Sequence, residues 1–474
     1  MITKTLLSQH RVYQYIAAIS GTICIMSSEM HFGWTSQSLP SLTDGTYKLQ
    51  LSKDEASWLA VILLAGTVMG AVIAGKLTDI VGRRKIILIT SIPLIIGWIM
   101  IGAGNSTVEL FVGRFIAGIA NGLSFSTVPM YLAEIAEPEI RGIITSLCPV
   151  FVVLGILIIN FLGSISSIST TAYIAMIFPS LCVITFHWMP ESPSFLLQRE
   201  KHEEARKILE RLRAESDVEE ELQRVMKFLG ENKQCSWKEF FLDKVTWRAI
   251  LIAYGLRTAQ QFSGTTALTF YCKTIFDETD DIFPSELSTL VYFLLQLIVS
   301  SIAIFLVDVY GRKPLLLIST VGTTLTLFIM SAYLHLKNHV NITTSKLNYI
   351  PIVILFSNII FFSIGLRTVP LLMMGEMFSP RFRAKGLCIG CIYFSVIAMV
   401  FAKTFFDISL KFGQAAPFLL FSVLSFISTF FIIFCIPETK GLTLEGIQRI
   451  LKKLPKENNT QQQSDDKFTV IADV

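Results

Sequence analysis

Charged residues are scarce in this chain. Asp, Glu, Lys and Arg make up 16% of its 474 residues, whereas hydrophobic residues make up 52%. Soluble domains carry about a quarter charged residues, so this balance argues against a soluble domain. The net charge of +4 identifies no partner by itself, and we expect no nucleic acid to bind.

Metal-binding and catalytic patterns are also missing. The eight cysteines lie mostly inside apolar stretches without metal-ligand spacing, so we predict small buried side chains and no metal site. A near match to a phosphate-binding loop begins at Gly70. It lacks the Ser or Thr that would hold magnesium, and it lies in an apolar stretch. The sequence therefore predicts a protein that is not an enzyme, with no catalytic residue and no cofactor.

Long apolar stretches dominate the chain instead. Bilayer hydrocarbon is roughly 30 Å thick, so a spanning helix needs about 20 mostly apolar residues. About twelve stretches meet this length criterion: Tyr15–Thr35, Trp58–Leu77, Ile86–Gly104, Leu110–Tyr131, Ile143–Gly163, Ala172–Met189, Ala249–Tyr271, Leu287–Val307, Leu315–Leu334, Ile350–Met374, Gly386–Phe406 and Pro417–Ile436. The sequence therefore predicts an all-α integral membrane protein whose partner is the lipid bilayer.

A charged turn occurs twice between these stretches. Asp79–Lys85 reads DIVGRRK, and Asp308–Lys313 reads DVYGRK, 229 positions later (308 − 79). Each copy follows one apolar stretch and precedes the next. Many secondary transporters consist of two parallel halves of six helices. The repeat therefore predicts twelve transmembrane helices in two pseudo-symmetric bundles of six.

The placement of charge predicts the orientation and the divisions of the chain. Basic residues fall in alternate loops, together with the charged insert Arg199–Lys244, and positive loops stay cytoplasmic. We therefore expect a multi-pass plasma-membrane protein with both termini in the cytoplasm. The predicted divisions are an N-terminal bundle at 1–189, a cytoplasmic helical insert at 190–247, a C-terminal bundle at 248–436 and a partly disordered cytoplasmic tail at 437–474.

Three segments outside the spans carry their own expectations. Residues 36–57 are predicted to form a polar outer loop. Within the insert, Glu203–Leu229 has apolar residues at helical spacing, which predicts one amphipathic helix. Asn341 begins an Asn-Ile-Thr sequon in a predicted outer loop, so we expect N-glycosylation there.

Two further motifs repeat in both halves in the same order. A Glu precedes an Arg by seven positions (141 − 134 and 383 − 376), and a Pro-Glu pair follows the last span of each half. Because partly buried ion pairs matter more than exposed ones, we expect two clusters that hold the halves together on the cytoplasmic side when the central cavity opens outward. Their predicted members are Asp79, Arg83, Arg84, Glu134, Arg141 and Glu191 in the first half, and Asp308, Arg312, Glu376, Arg383 and Glu438 in the second.

These motifs resemble signatures of the sugar porter family of the major facilitator superfamily. The similar segments are the charged turns, Gly113-Arg-Phe115, Pro190-Glu-Ser-Pro-Ser194, Gln260-Gln-Phe-Ser-Gly264 and Pro437-Glu-Thr-Lys-Gly441. Phe32–Pro40 and Lys403–Phe405 resemble insect facilitated trehalose transporter-like members. The resemblance implies the major facilitator fold and alternating-access transport of a small-molecule sugar, with trehalose or a hexose as candidates.

The resemblance also implies that Gln260 and Gln261 in the seventh span contact sugar hydroxyls. Two adjacent glutamines are costly inside a span unless they face water or a neighbour, and polar contact between helices is the alternative. The chain departs from the family pattern at four other substrate positions. Pro149 stands where a Gln is often found, six residues before Gly155 in the fifth span. Thr266 and Phe394 stand where Asn is usual, and Leu371 stands where a Trp would stack on sugar.

Charged side chains inside the spans are further candidates for contact with the solute, together with Trp34 in the first span. Glu29, Arg257 and Arg367 lie within apolar stretches, and a bare charge there costs several kcal/mol. We predict that Glu29 pairs with Arg257 or Arg367 across the cavity. An arginine left over would recruit an anionic or heavily hydroxylated solute, and snorkelling at helix ends is the alternative.

One position bears on energy coupling. Proton-driven members of the family carry an Asp two residues after the first-span glycine, and here Gly33 is followed by Trp34 and Thr35. This difference predicts facilitated diffusion. Glu29 and His31 leave a proton-linked symporter open, and a non-transporting sugar sensor or a carrier of a polyol or sugar acid remain alternatives. The sequence does not determine the oligomeric state.

Overall fold

The computed structural model describes residues 9–452, apart from 138, 214–217, 232–236, 280–282, 341–348, 380–381, 441–446 and 448–449. The first half contains helices α1 (Gln9–Thr43), α2 (Lys53–Val81), α3 (Arg83–Ala103), α4 (Thr107–Ile135), α5 (Arg141–Ile165), α6 (Ile168–Ala175) and α7 (Ile177–Phe186). Between the halves lie α8 (Pro193–Gln198), α9 (His202–Arg213), α10 (Glu219–Glu231) and α11 (Trp237–Leu242). The predicted glycosylation site Asn341 lies outside the described residues.

The second half repeats the pattern of long helices. It contains α12 (Lys244–Phe262), α13 (Thr265–Phe270), α14 (Cys272–Thr279), α15 (Ser285–Tyr310), α16 (Arg312–Val340), α17 (Ile350–Ile364), α18 (Val369–Met377), α19 (Arg383–Phe412) and α20 (Ala415–Cys435). Three spans consist of more than one helix: α6 with α7, α12 with α13 and α14, and α17 with α18. The prediction of an all-α fold with two bundles of six spans is confirmed.

Helix length and composition agree with a multi-pass membrane protein. Within the described residues, ten helical segments are long and apolar enough to cross a bilayer. The other two spans are α1 and the interrupted α12–α14, which carry more polar side chains. Outward-facing side chains are strongly apolar, for example Phe305 at 73% exposure and Phe434 at 80%. A surface of this kind is suited to lipid rather than water.

Polar side chains turn inward in α1, which corrects the predicted outer loop at 36–57. The helix continues to Thr43, and α2 begins at Lys53 after a capping box formed by Ser52 and Glu55. Ser36, Gln37 and Ser38 are therefore buried helical residues. Their polarity reflects contacts inside the bundle, which a linear reading cannot separate from loop polarity.

The insert also differs from its prediction. The single helix expected over 203–229 is two helices, α9 and α10, with residues 214–217 between them outside the described part. Leu209 of α9 and Leu222 of α10 pack with Phe195 of α8 in a small apolar core. The amphipathic pattern is thus explained by packing among the short helices.

The seventh span breaks at the glycine that follows the glutamine pair. Gly264 has φ +75°, a left-handed conformation that favours glycine, and it separates α12 from α13. A Cβ at this position would also lie 3.1 Å from the Phe421 ring. The break places Gln260 and Gln261 in the last turn of α12, next to the non-helical turn.

The helices α2 and α4 approach each other closely at glycine positions. A Cβ added to Gly118 would overlap the carbonyl oxygen of Leu63 and lie 2.9 Å from the Cα of Gly66. A Cβ on Gly70 would overlap the carbonyl oxygen of Ile119. Small residues let membrane helices approach this closely and gain van der Waals contact.

The two bundles meet through α2 with α19, α5 with α15, and α1 with α13 and α14. We call the end opposite the charged turns the outer end. There, the ammonium of Lys403 in α19 lies 2.7 Å from the Asp54 carboxylate and 2.6 Å from the Ser57 hydroxyl at the start of α2. The rings of Phe32 in α1 and Phe270 in α13 are 4.5 Å apart between centroids. Polar and aromatic contacts thus join the bundles at the outer end.

Candidate functional site

The first charged cluster lies where α3 begins. The Arg83 guanidinium is 3% exposed and lies 3.2 Å from the Glu134 carboxylate and 3.3 Å from Asp79. The Ser192 hydroxyl donates to the same Glu134 carboxylate. Glu191 accepts from the backbone N–H of Arg84 at 3.0 Å. This carboxylate therefore accepts a hydrogen bond from a backbone N–H in the first turn of α3, which has no partner within the helix. The helix dipole also favours negative charge at this end.

The second cluster repeats this arrangement where α16 begins. Arg312 lies 2.9 Å from Glu376 and 3.4 Å from Asp308. The Thr439 hydroxyl donates to Glu376 at 2.7 Å, as Ser192 does to Glu134. Glu438 accepts from the backbone N–H groups of Arg312 at 3.0 Å and of the next residue at 2.9 Å. Sequence repeats in the two halves therefore correspond to one structural unit built twice.

Each charged cluster connects helices within its own bundle in this structure. Among the described residues, every ion pair of the two clusters joins residues of the same bundle. Arg141 at the start of α5 is exposed and forms no ion pair within the described part of the chain. The side chain of Arg383 lies outside the described residues. A contact of these clusters between the halves stays a prediction for another conformation.

Glu438 lies beyond the last span, and its titration gives a stability prediction. Burial would raise the pKa of its carboxyl, but four backbone N–H hydrogen bonds outweigh burial and lower the pKa. A lowered folded pKa stabilises the protein above the unfolded value of about 4.3, and this stabilisation is lost as the pH falls through the folded pKa. We expect Glu438→Gln to lose about 1.5 kcal/mol at pH 7 and less at pH 4.

Thermal unfolding in detergent at the two pH values measures this difference. Glu220→Gln is the matched control, because the Glu220 side chain is 91% exposed and its ion pair contributes little. A loss of stability at pH 4 as large as that at pH 7 would contradict the assigned role of the carboxylate.

The glutamine pair lies at the end of α12 and is almost completely buried. The Gln260 side-chain oxygen accepts from the Arg257 guanidinium at 2.9 Å. The Gln261 oxygen accepts from the Thr266 hydroxyl at 2.8 Å. The Gln261 amide nitrogen has no hydrogen-bond partner among the described residues. Each oxygen is thus held by the protein, while one buried amide donor remains free.

Arg257 connects three helices of the C-terminal bundle. Its guanidinium lies 4.9 Å from the centroid of the Phe394 ring in α19, and its Nε donates to the Met374 sulfur in α18 at 3.2 Å. Phe394 thereby lies beside the glutamine pair, as the sequence predicts. Leu371 is half-buried in α18, three residues before Met374. The Phe394 ring contacts the Arg257 guanidinium, so this aromatic side chain belongs to the surroundings of the glutamine pair.

Glu29 has a partner that the sequence did not indicate. Its carboxylate accepts from the Asn121 amide of α4 at 2.9 Å. No ion pair within 4.0 Å joins Glu29 to Arg367 or Arg257 in the described part of the chain. The direct pairing we predicted is therefore not present, because the Glu29 carboxylate binds Asn121 of the neighbouring helix α4 instead.

Trp34 and His31 lie inside the N-terminal bundle. The Trp34 ring is 1% exposed and faces the Arg114 guanidinium, 5.3 Å from the ring centroid. The His31 ring stacks on Trp98 of α3 at 3.7 Å, and its Nε2 lies 3.2 Å from the Leu94 carbonyl oxygen. The structure thus separates these two residues from Gln260, Arg257 and Phe394.

Arg114 is a completely buried cation with neutral partners. It donates to the carbonyl oxygens of His31, Leu59 and Ala60, the last two at 3.5 and 3.4 Å. No described carboxylate lies within 4.0 Å of it. At the nearby position where proton-driven relatives carry Asp, the hydroxyl of Thr35 donates to a backbone carbonyl. The sequence motif containing Arg114 gave no hint of this environment.

Gln296 of α15 is a candidate site residue that the sequence analysis missed. Its side chain is fully buried, and neither amide atom has a partner among the described residues. A buried polar group without a partner costs free energy, so such a group points to a missing ligand or water. A single glutamine in the otherwise apolar stretch Leu287–Val307 was the available signal.

Comparison with known proteins identifies the class. The profile of the family described as "Sugar (and other) transporter" matches residues 10–451. The chain belongs to this family, and it is a multi-pass membrane protein of the major facilitator fold.

Among its relatives, the facilitated trehalose transporter Tret1-2 homolog of Drosophila simulans is 32% identical over 441 residues, which cover 92% of this chain and 90% of that protein. Trehalose transporter 1 of Drosophila melanogaster is 31% identical and is covered over 51% of its length. The structure of the proton:xylose symporter XylE bound to 6-bromo-6-deoxy-D-glucose superposes with a TM-score of 0.75 at 20% identity, covering 93% of this chain and 99% of XylE. This likeness shows the shared fold.

Proposed function

We propose that this protein is a plasma-membrane uniporter that moves a sugar by alternating access, with both termini in the cytoplasm. Its family, and relatives named as trehalose transporters, support a sugar as solute and make trehalose or a hexose the first candidates. The buried amide nitrogen of Gln261 and both amide atoms of Gln296 have no partner among the described residues, and this supports sugar contact there because hydroxyl groups both donate and accept hydrogen bonds.

The proposal of uniport rests on the surroundings of Arg114. Proton coupling requires a titratable group whose proton affinity changes between conformations. The polar partners of Arg114 are backbone carbonyl oxygens, which do not titrate in the physiological range. The structure supplies no described carboxylate at this cation, and Thr35 cannot provide one. This environment supports sugar movement along its own gradient, and the buried carboxylate of Glu29, bound to Asn121, is the group through which the proton-linked alternative would act.

The contacts at the outer end fit one stage of alternating access. Lys403 with Asp54, and Phe32 with Phe270, join the bundles at that end. The two charged clusters lie at the opposite end, and the ion pairs of their described members join residues of the same bundle. Rocking of one rigid bundle against the other would open the contacts at the outer end and bring the two bundles together at the end that carries the charged clusters. Contacts of Arg141 and Arg383 between the two bundles are expected at the stage in which the central cavity opens outward.

Purified protein in liposomes tests the proposal. We expect uptake of radiolabelled trehalose or glucose that equilibrates with its gradient, is unchanged by an imposed pH gradient, and causes no change in a lumenal pH dye. Gln261→Ala is expected to lower uptake at least tenfold, because it removes the free amide donor and the acceptor of Thr266. Gln223→Ala is the control, since Gln223 is exposed on α10.

Three results would change this assignment. Sugar-driven pH change in the lumen would show a proton symporter. Saturable sugar binding without flux in the folded wild type would show a sensor. Flux of a polyol in the absence of sugar flux would replace the solute class while leaving the transport cycle intact.

A further inference from the structure

The ammonium group of Lys403 in α19 is shared between the two bundles. It lies 2.7 Å from the Asp54 carboxylate and 2.6 Å from the Ser57 hydroxyl, both on α2. It also lies 3.0 Å from the Asp407 carboxylate on its own helix and 4.9 Å from the centroid of the Trp58 ring on α2. A lysine ammonium has three N–H donors, and the three oxygens match that number. The opposite bundle thus supplies two of the three oxygens and the aromatic face.

The cation is more buried than either of its carboxylates. The Lys403 side chain is 16% exposed, whereas that of Asp54 is 71% and that of Asp407 is 43% exposed. A largely buried cation needs a counter-charge in every conformation, because an unpaired charge away from water costs free energy. Asp54 belongs to the other bundle and can move away, whereas Asp407 lies four residues along α19 and moves with Lys403.

We propose that Lys403, Asp54 and Ser57 form an outer latch of the transport cycle, and that Asp407 compensates the Lys403 charge when this latch opens. The inference rests on the proposed alternating-access function and specifies how its outer end is controlled. While the bundles are closed at the outer end, Asp54 and Ser57 bind Lys403 across the interface. Once they separate, Lys403 keeps Asp407 as its partner.

A small rotation of the bundles is enough to open the outer latch. The same two helices also meet farther from the outer end, where the Cys388 thiol donates to the Ala71 carbonyl oxygen at 3.4 Å. Lys403 lies 15 residues from Cys388 (403 − 388), which is about 22 Å along α19. A rotation of about 10° around that contact would move the outer end by about 4 Å, which takes Lys403 beyond ion-pair distance of Asp54.

The two carboxylates have opposite effects on the equilibrium between the closed and open outer ends. Asp54 binds Lys403 in the closed form alone, so Asp54→Asn destabilises the closed form. The closed form has both carboxylates and the open form has Asp407, so Asp407→Asn destabilises the open form more. Asp407→Asn also removes the repulsion between the two carboxylates that flank Lys403 in the closed form.

Hydrogen–deuterium exchange of the purified full-length protein in nanodiscs tests these opposite effects. The reporter is backbone exchange in α13 and α14, which pack on α1 of the other bundle and contain none of the substituted residues. We expect Asp54→Asn to exchange about three- to fivefold faster than the wild type, because exposed carboxylates form pairs of modest strength. Asp407→Asn should exchange about two- to threefold more slowly than the wild type.

Further variants separate the latch from unrelated effects. Asp54→Asn combined with Asp407→Asn should exchange like Asp54→Asn alone, because without Asp54 the loss of Asp407 weakens both forms equally. Lys403→Met should exchange faster than the wild type. Glu109→Gln is the control and should exchange like the wild type, because Glu109 at the same end accepts from the backbone N–H of Asn105 in its own bundle at 2.7 Å. Detergent size-exclusion profiles establish that each variant is folded before rates are compared.

The outcomes separate this inference from the proposed function. Unchanged exchange in Asp54→Asn, or faster exchange in Asp407→Asn, would overturn the outer latch and leave sugar transport standing. Uptake of radiolabelled trehalose and glucose into liposomes by the same protein preparations measures transport separately. Failure of the folded wild type to move either sugar, together with the expected opposite changes in exchange, would support the latch and overturn the transport function.

Discussion

Replacing Gly118 with alanine is expected to abolish accumulation of folded protein. The added Cβ would overlap the Leu63 carbonyl oxygen and lie 2.9 Å from the Cα of Gly66, so the obstacle is backbone rather than a movable side chain. Overpacking typically costs about 1–3 kcal/mol, and occasionally more where nothing can give way. Alanine is the better helix former by about 0.5–1 kcal/mol, so any loss comes from packing.

Fluorescence-detected size-exclusion chromatography of tagged protein measures this effect. Gly142→Ala is the matched control, because a Cβ at Gly142 in α5 would meet no atom within 4 Å. We expect the control to elute like the wild type and Gly118→Ala to be lost or aggregated. Equal yield of both variants would mean that α2 and α4 do not pack as described.

The second large effect is expected at Arg83. Replacing it with methionine would leave the Glu134 carboxylate, with a side chain only 17% exposed, without its positive partner. Breaking a buried pair by removing one member typically costs about 3–5 kcal/mol. The Ser192 hydroxyl would remain as a donor to Glu134, which places the expected loss toward the lower end of that range.

A double-mutant cycle with Glu134→Gln separates the ion pair from other contacts. Because Glu134→Gln removes the unpaired charge, the double variant should recover part of the stability lost in Arg83→Met, with a coupling of about 1–3 kcal/mol. Arg206→Met is the control: its pair with Glu210 is exposed, with side-chain exposures of 46% and 36%, and is worth up to about 1 kcal/mol. Additive thermal shifts in the cycle would contradict a direct Arg83–Glu134 interaction.

The two charged clusters show what sequence patterns can and cannot predict. The structure places Arg83, Glu134 and Glu191 in one group and Arg312 and Glu438 in another. Both groups lie at span ends, where charges that interrupt apolar spans must gather. The motifs could not show that each Glu after the last span of its half accepts hydrogen bonds from backbone N–H groups at the start of an earlier helix, α3 or α16. That role depends on the angle at which the chain returns, which no local pattern encodes.

The candidate solute site was less predictable. The glutamine pair and Phe394 do lie together, with Arg257 between them. Trp34 was an equally plausible candidate from the sequence, yet its ring lies against Arg114 of α4 inside one bundle. A helix of 3.6 residues per turn presents each side chain to a different neighbour. The face that meets the other bundle depends on rotation about the helix axis, and this rotation is fixed by packing.

The sequence by itself determined the number of spans, their duplication and the ends at which charge collects, because a bilayer imposes span length and excludes unpaired charge. Tertiary structure alone decided which charges meet. Glu29 pairs with Asn121 and Arg114 with backbone carbonyls, and neither Arg257 nor Arg367 has a carboxylate partner among the described residues. Partner choice depends on distances of a few ångströms between helices far apart in the chain, and only close packing of those helices sets such distances.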